Sequence, residues 1–175
     1  MSEMFARHSA KHQTKDKIAF LKESVLFKHW TVDQLAKMAY AMKKKQYSEG
    51  SVIIHQGERM EYLWIIKEGV VRVSHRVISN QGNYSIQKNN SYSDETSTLT
   101  VDLAYLGCCD CIGLIESLDD NVKKSQREAV ALTSTVDFFF IPLNFFRSML
   151  IADVRTYGLV EKVAARRLKW ESLRR

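Results

Sequence analysis

The sequence is poor in proline and cysteine. It has one proline, Pro142, and three cysteines: Cys108, Cys109 and Cys111. Three cysteines within four residues cannot form a framework of disulfides, and no second pair of ligands stands at the spacing of a zinc site. We therefore interpret them as reduced, partly buried residues of a cytoplasmic protein, and we predict no metal site.

Long apolar runs are also missing. None approaches the 18 residues of a membrane span, and the polar start of the chain has no apolar core of a signal peptide. No Ser/His/Asp or Cys/His set, paired carboxylates, phosphate-binding glycine loop or metal cluster stands out. We therefore expect a protein that is not an enzyme, crosses no membrane and needs no cofactor.

The bulk composition is that of an ordinary globular protein. Of 175 residues, 45% are hydrophobic and 26% are charged, which favours one domain with a true core. The net charge of +6 is compatible with anionic ligands, nucleic acid or acidic protein partners, without choosing among them.

Apolar periodicity predicts helices over residues 14–45, after a flexible N-terminus at 1–13. Thr31 and Gln34 stand at the spacing of a capping box. We expect the basic run Lys43–Lys45 to close the second helix, as the helix dipole favours. Two apolar stripes should face the core: Ile18, Leu21 and Val25, then Leu35, Met38, Ala39 and Met42.

The character of the chain changes at residues 46–141. Short segments rich in β-branched and aromatic residues, separated by glycines, predict an antiparallel barrel or sandwich. The polar stretch between Val77 and Thr98 lacks periodicity, so we predict a mobile loop there. Residues 142–175 then predict two helices. Their core faces should be Phe145, Phe146, Met149 and Leu150, then Tyr157, Val160, Ala164 and Leu168.

Two motifs in this order of elements resemble the cyclic nucleotide-binding domain, the β-roll module of catabolite activators, protein kinase A and G regulatory regions and nucleotide-gated channels. The resemblance covers roughly Phe20 to Trp170 and implies an antiparallel, jelly-roll-like (cupin-like) β-roll with N- and C-terminal helices. "LGCCDCIGL" looks like the family's Leu-Gly-x-Gly-Asp-x-Phe-Gly-Glu. The first motif, "YSEGSVIIHQGERMEYLWIIKEGVVRV", matches the family at Tyr47, Gly50, Ile53, Gln56, Gly57, Glu58, Ile65, Ile66 and Gly69.

The resemblance implies a phosphate-binding cassette, a short helix at 113–118 followed by an arginine, here Arg127. A cyclic phosphate favours a guanidinium and the free N–H groups of a helix start. The alternative role for Arg127 is an ion pair with Asp119 or Asp120. The implied nucleotide-binding residues are Ile112, Gly113, Leu114, Ile115, Glu116, Arg127, Glu128, Ala129 and Trp170.

This cassette departs from the family at several positions. Leu114 replaces the glutamate that accepts a hydrogen bond from the ribose. On a regular helix Glu116 would point about 200° away from Leu114, so it could take over that role only if the helix were rewound. Glu128 would repel a phosphate unless strand alternation turns it outward. The spacer between the short helix and Arg127 is longer than the family's, and Gln126 stands where proline is common.

Trp170 is the expected lid over the base, because its ring offers a flat face for stacking. It lies seven residues after Val163, on the same helical face, and the alternative is a ring that packs on the core or is exposed.

Two functions remain open from the sequence. The first is a regulatory sensor of cyclic nucleotide, cAMP rather than cGMP. The second is a nucleotide-independent domain of the same fold that binds a protein. We expect a protein partner or further domains of a longer chain, and no DNA-binding module, since only residues 172–175 follow the last helix.

Overall fold

The computed structural model describes residues 2–79, 97–119, 121 and 124–173. The helices are α1 (Ser2–Glu23), α2 (Val32–Ala41), α3 (Leu143–Ile151) and α4 (Val154–Ser172). The strands are β1 (Lys43–Ser48), β2 (Val52–Ile54), β3 (Tyr62–Glu68), β4 (Val71–Ser79), β5 (Ser97–Leu106), β6 (Cys111–Ile112), β7 (Glu128–Ala131) and β8 (Thr135–Pro142).

The strands form two antiparallel sheets of four strands each. Their orders are β1-β8-β3-β6 and β2-β7-β4-β5. The predicted fold class is confirmed: a β-roll with helices before and after it. β6 belongs to the first sheet and β7 to the second, and the residues beside them line one cavity.

Aromatic rings fill the side of the core between β1, β3 and β8. Trp64 stacks on Phe140 with centroids 5.0 Å apart, and Tyr47 meets Phe138 edge-on at 5.7 Å. Such pairs stabilise a core beyond the area they bury, by about 0.5–1.5 kcal/mol each. They join the strands that carry the first motif to β8.

The second helix follows its predicted pattern. Thr31 and Gln34 form the capping box, and Leu35, Met38 and Ala39 are buried. The prediction that Lys43–Lys45 closes this helix is wrong. Met42 already has an extended backbone, and the three lysines open β1, paired with Phe138–Phe140 of β8. Sheet pairing outweighs the weak preference of basic residues for a helix end.

Helix α1 and the ends of β4 and β5 differ from the boundaries expected from the sequence. Helix α1 begins at Ser2, so residues 2–13, expected to be a flexible terminus, have helical backbone conformation. Val25 lies after the end of α1 and is exposed, rather than continuing its buried stripe. Strands β4 and β5 reach Ser79 and Ser97, and the rest of the predicted mobile loop lies outside the described residues.

The C-terminal helices pack on the roll as a pair. Phe146 and Leu150 of α3 are buried, and Phe145 and Met149 are half-buried. On α4 the buried face includes Val160 and Ala164, but Leu168 is exposed, contrary to the predicted stripe. None of the helices in the described part of the chain is long and apolar enough to cross a membrane.

Gly69 shows why one glycine of the first motif is required. Its φ is +96°, and an added Cβ would lie 2.7 Å from Thr135 O and 2.7 Å from Thr133 Oγ1. The turn between β3 and β4 therefore excludes a side chain both by backbone conformation and by contact with the start of β8.

We expect Gly69→Ala to lower the free energy of unfolding by about 2–4 kcal/mol, because strain and a clash with backbone add together. Gly50→Ala is the matched control for strain alone, since φ is +77° and the space is open; it should cost about 1–2 kcal/mol. Urea unfolding measures both. Equal losses would show that the contact with β8 contributes nothing.

Candidate functional site

One cavity gathers most of the residues predicted to bind nucleotide. Its lining includes Ile112, Gly113, Leu114, Ile115, Glu116, Arg127 and Ala129. Arg167 and Glu171 of α4 also line it, and sequence reasoning selected neither. The cavity has a volume of about 30 Å³, whereas small-molecule sites usually measure about 300–1,000 Å³. In this conformation the side chains themselves fill the site.

Residues 113–118 form a tight turn rather than a regular helix. Gly113 has φ +93°, and a Cβ there would lie 3.0 Å from Tyr62 O. Ser117 N–H donates to Gly113 O at 3.0 Å, and Ser117 Oγ donates to Leu114 O at 2.6 Å. Leu114 and Glu116 both line the cavity. The separation of about 200° expected between Leu114 and Glu116 assumed a regular helix. The turn is not one, so both side chains reach the cavity.

Arg127 is fixed at the start of β7 by Ser125. Arg127 N–H donates to Ser125 Oγ at 3.2 Å, and that hydroxyl donates to Arg127 O at 2.8 Å. The Gln-Gly-Glu motif holds Ser125 in turn: Gly57 N–H donates to Ser125 O, and Ser125 N–H donates to Glu58 O. Two motifs far apart in sequence thus position one guanidinium.

The Arg127 guanidinium is paired with two buried carboxylates. Its Nε lies 2.8 and 2.9 Å from the two carboxylate oxygens of Glu171, and its Nη2 lies 2.7 Å from Oε2. Its Nη1 lies 3.3 Å from Glu116 Oε1. The side chains are 11% (Arg127), 7% (Glu171) and 4% (Glu116) exposed. Asp119 is not the partner, and Asp120 lies outside the described residues.

Glu116 is the acid whose titration the site alters most clearly. Burial raises the pKa of its carboxyl above the ordinary value of 4.5, and the nearby Glu171 adds to the rise. Hydrogen bonding to the backbone and the charges of Arg127 and Arg167 oppose it. Burial dominates because removing a carboxylate from water is costly even beside a cation.

Arg147 of α3 fastens the end of the 113–118 turn. Its Nη2 donates to Glu116 O at 2.6 Å and to Asp119 O at 2.8 Å, and its Nε donates to Ser117 O at 3.2 Å. Sequence analysis missed this role, since its only sign was a lone cation in an apolar helix. The arginine satisfies carbonyls that the tight turn leaves without partners.

Arg167 attaches α4 to the other side of the cavity. Its Nη2 lies 3.0 Å from Asp110 Oδ1, and its Nη1 donates to Cys111 O. Arg167 and Glu171 are four residues apart, so they share one face of the helix. The end of α4 is therefore joined to the roll by two ion pairs. In one the helix supplies the cation, Arg167, and in the other it supplies the anion, Glu171.

Two predicted residues lie elsewhere. Glu128 faces away from the cavity, beside His55 and paired with Arg76, as strand alternation allows. Trp170 is 59% exposed and does not line the cavity; the adjacent Glu171 does. Adjacent helical residues point about 100° apart, so Glu171 can face the cavity while Trp170 does not. The lid role of Trp170 stays a prediction.

The cysteines stand apart from this chemistry. All three are free, and Cys111 is buried. Burial raises the pKa of Cys111 to about 12, and burial with the neighbouring Cys108 thiol raises that of Cys109 to about 12. Within the described ranges, no group of three or more His, Cys, Asp or Glu could hold a metal ion.

Known families and structures resemble this chain in sequence or in fold. The sequence model of the cyclic nucleotide-binding domain matches residues 44–153. The chain resembles the Toxoplasma gondii protein kinase A regulatory domain solved with cAMP at 15% identity and a TM-score of 0.69, over 91% of this chain and 52% of that one. No curated protein sequence matches the chain.

Two further structures resemble it. One is the regulatory subunit of a cAMP-independent protein kinase A from Trypanosoma cruzi, bound to guanosine, at 25% identity and a TM-score of 0.65, over 90% of this chain and 46% of that one. The other is the Thermus thermophilus catabolite activator protein. It has 17% identity and a TM-score of 0.61, over 85% of this chain and 60% of that one. The chain spans about half the length of the two kinase regulatory proteins.

We expect Arg147→Ala to speed amide hydrogen exchange across residues 113–119 about tenfold or more, because each lost bond to a charged donor is worth about 1.5–3 kcal/mol. Arg155→Ala, an exposed change on α4, is the control. Exchange that rises equally in both variants would contradict a specific role for Arg147.

The raised pKa of Glu116 predicts a pH dependence. Above pH 4.5 and up to that raised pKa, the folded state binds more protons than the unfolded state, so the stability due to Glu116 falls as pH rises. As pH rises from about 4 to about 7, the free energy of unfolding of the wild type should therefore fall relative to that of Glu116→Gln. Urea unfolding at both pH values, with the exposed Glu161→Gln as control, measures this. A constant difference would contradict it.

Proposed function

The chain belongs to the cyclic nucleotide-binding domain family, and we propose that it is a regulatory domain that binds a cyclic nucleotide, cAMP in preference to cGMP. The observation that supports this most is the placement of Arg127. Its buried guanidinium lies at the cavity beside the turn of Gly113, where a cyclic phosphate would meet both a charged fork and backbone N–H groups. The preference for cAMP takes support from the Toxoplasma gondii domain solved with it.

Binding requires the end of α4 to move. A nucleotide is far larger than a cavity of about 30 Å³, and two of the side chains that line this cavity, Arg167 and Glu171, come from α4. The ligand would therefore select a conformation in which these side chains withdraw, and the change would be limited by its difference in affinity between the two conformations. Regulation, rather than catalysis, is the expected result of such a shift.

A specific observation favours a second function, that of a nucleotide-independent interaction domain. Arg127 is already paired with two carboxylates, and Leu114, buried at the cavity, offers no hydrogen bond to a ribose. In that case the fold would serve to bind a protein. The resemblance to the regulatory subunit of a cAMP-independent kinase from Trypanosoma cruzi supports a function without cAMP, although that subunit was solved with guanosine. A cytoplasmic location remains a prediction for both functions.

Calorimetry with cAMP, cGMP and adenosine tests the proposal. We expect cAMP to bind, cGMP to bind more weakly and adenosine, which lacks the phosphate, to bind least. Arg127→Lys keeps the charge but loses the fork, and should weaken cAMP binding about tenfold or more. Arg166→Lys, an exposed change on α4, should leave it unaltered.

Two results would overturn the proposal. Unchanged cAMP affinity in Arg127→Lys would mean that Arg127 does not bind the phosphate. Absence of binding of any of the three ligands to the wild-type protein would reject the sensor function and leave the interaction domain.

A further inference from the structure

The strongest unexplained feature of the site is that its arginine fork already holds an anion. The Glu171 carboxylate accepts from both Nε and Nη2 of Arg127, at 2.7–2.9 Å. This two-pronged geometry is the one that guanidinium offers to carboxylate and phosphate alike. An external phosphate could take the same donors only after Glu171 has left them.

The other guanidinium donors at the cavity are also bonded within the protein. The Nη1 of Arg127 is directed at Glu116, and Arg167 is bonded to Asp110 and to Cys111 O. If all are ionised, two guanidinium groups meet three carboxylates here: Glu116 and Glu171, which are buried, and Asp110, which is 43% exposed. The closed cavity therefore does not attract a further negative charge.

The last turns of α4 depend on these polar contacts. Val160 and Ala164 bury the first part of the helix against the roll. After Ala164, the apolar side chains Leu168, Trp170 and Leu173 are exposed, and Glu171 is the buried residue. Arg167 and Glu171 thus supply the described side-chain attachments of this end, and the Arg127–Glu171 pair is the more buried of the two ion pairs.

We propose that Glu171 competes with the ligand for the site: it occupies the anion position at Arg127, holds the end of α4 over the cavity, and must be displaced by the phosphate of an incoming cyclic nucleotide. The part that concerns the ligand rests on the proposed function. The exchange of one anion for another on the same fork couples occupancy of the site to release of α4.

Glu171→Gln is the central test, because it keeps the shape of the side chain and removes its charge. We expect this variant to bind cAMP at least about tenfold more tightly than wild type in calorimetry, since the competing charged contact is lost. The gain should disappear when Arg127→Lys is added. Glu161→Gln, an exposed residue of the same helix, is the matched control and should bind as wild type does.

A second measurement does not depend on nucleotide. Amide hydrogen exchange across residues 165–173 should be faster in Glu171→Gln than in wild type and in Glu161→Gln. Glu171→Asp keeps the charge on a shorter side chain, and should give an intermediate cAMP affinity and an intermediate exchange rate. It decides the matter if Glu171→Gln does not fold.

The outcomes separate this inference from the proposed function. Equal cAMP affinity in wild type and Glu171→Gln overturns displacement of Glu171 while leaving nucleotide binding intact. A gain that persists with Arg127→Lys also overturns it, because the effect would then be general electrostatics. If neither protein binds cAMP, the proposed function and displacement by nucleotide both fail, and hydrogen exchange decides whether Glu171 holds α4. Unchanged exchange overturns that role as well.

Discussion

The buried guanidinium of Arg127 is the constraint around which this site is organised. A charge this far from water is tolerated only when anions surround it, because an unpaired buried ion costs several kcal/mol. Glu171 and Glu116 provide those anions from α4 and from the 113–118 turn. The pairing therefore fixes three separate parts of the chain, namely the start of β7, the turn after β6 and the end of α4.

A buried ion pair is weak support for stability but a strong device for choosing between conformations. Its attraction roughly offsets the cost of removing both charges from water, so the closed conformation gains little net free energy from it. Breaking the pair without replacement is costly, whereas exchanging one anion for another need not be. A domain built this way favours a closed end of α4 until another anion reaches Arg127.

Two of the residues at which the cassette departs from or differs in role from the family pattern, Leu114 and Glu116, lie together at the cavity. Leu114 replaces a hydrogen-bonding residue and is buried in the cavity, where Glu116 also lies because the turn is not a regular helix. Glu116 is directed at Arg127, as Glu171 is. The polar groups near the cavity thus satisfy one another, which explains why a site that retains its arginine is nevertheless nearly full.

The sequence by itself determined the fold class, through short motifs that resemble a known family, and the capping box of α2, through local spacing. The same resemblance named seven of the fifteen residues that line the cavity. Local charge preference wrongly placed Lys43–Lys45 at the end of a helix. These lysines form β1, because their pairing with β8 is a long-range contact that outweighs the local preference. Only the tertiary structure decided the partners of Arg127 and the carbonyls held by Arg147. Glu171 is 44 residues from Arg127 and Arg147 is 30 residues from Ser117. No periodicity links residues so far apart, because packing of α3 and α4 on the roll brings them together.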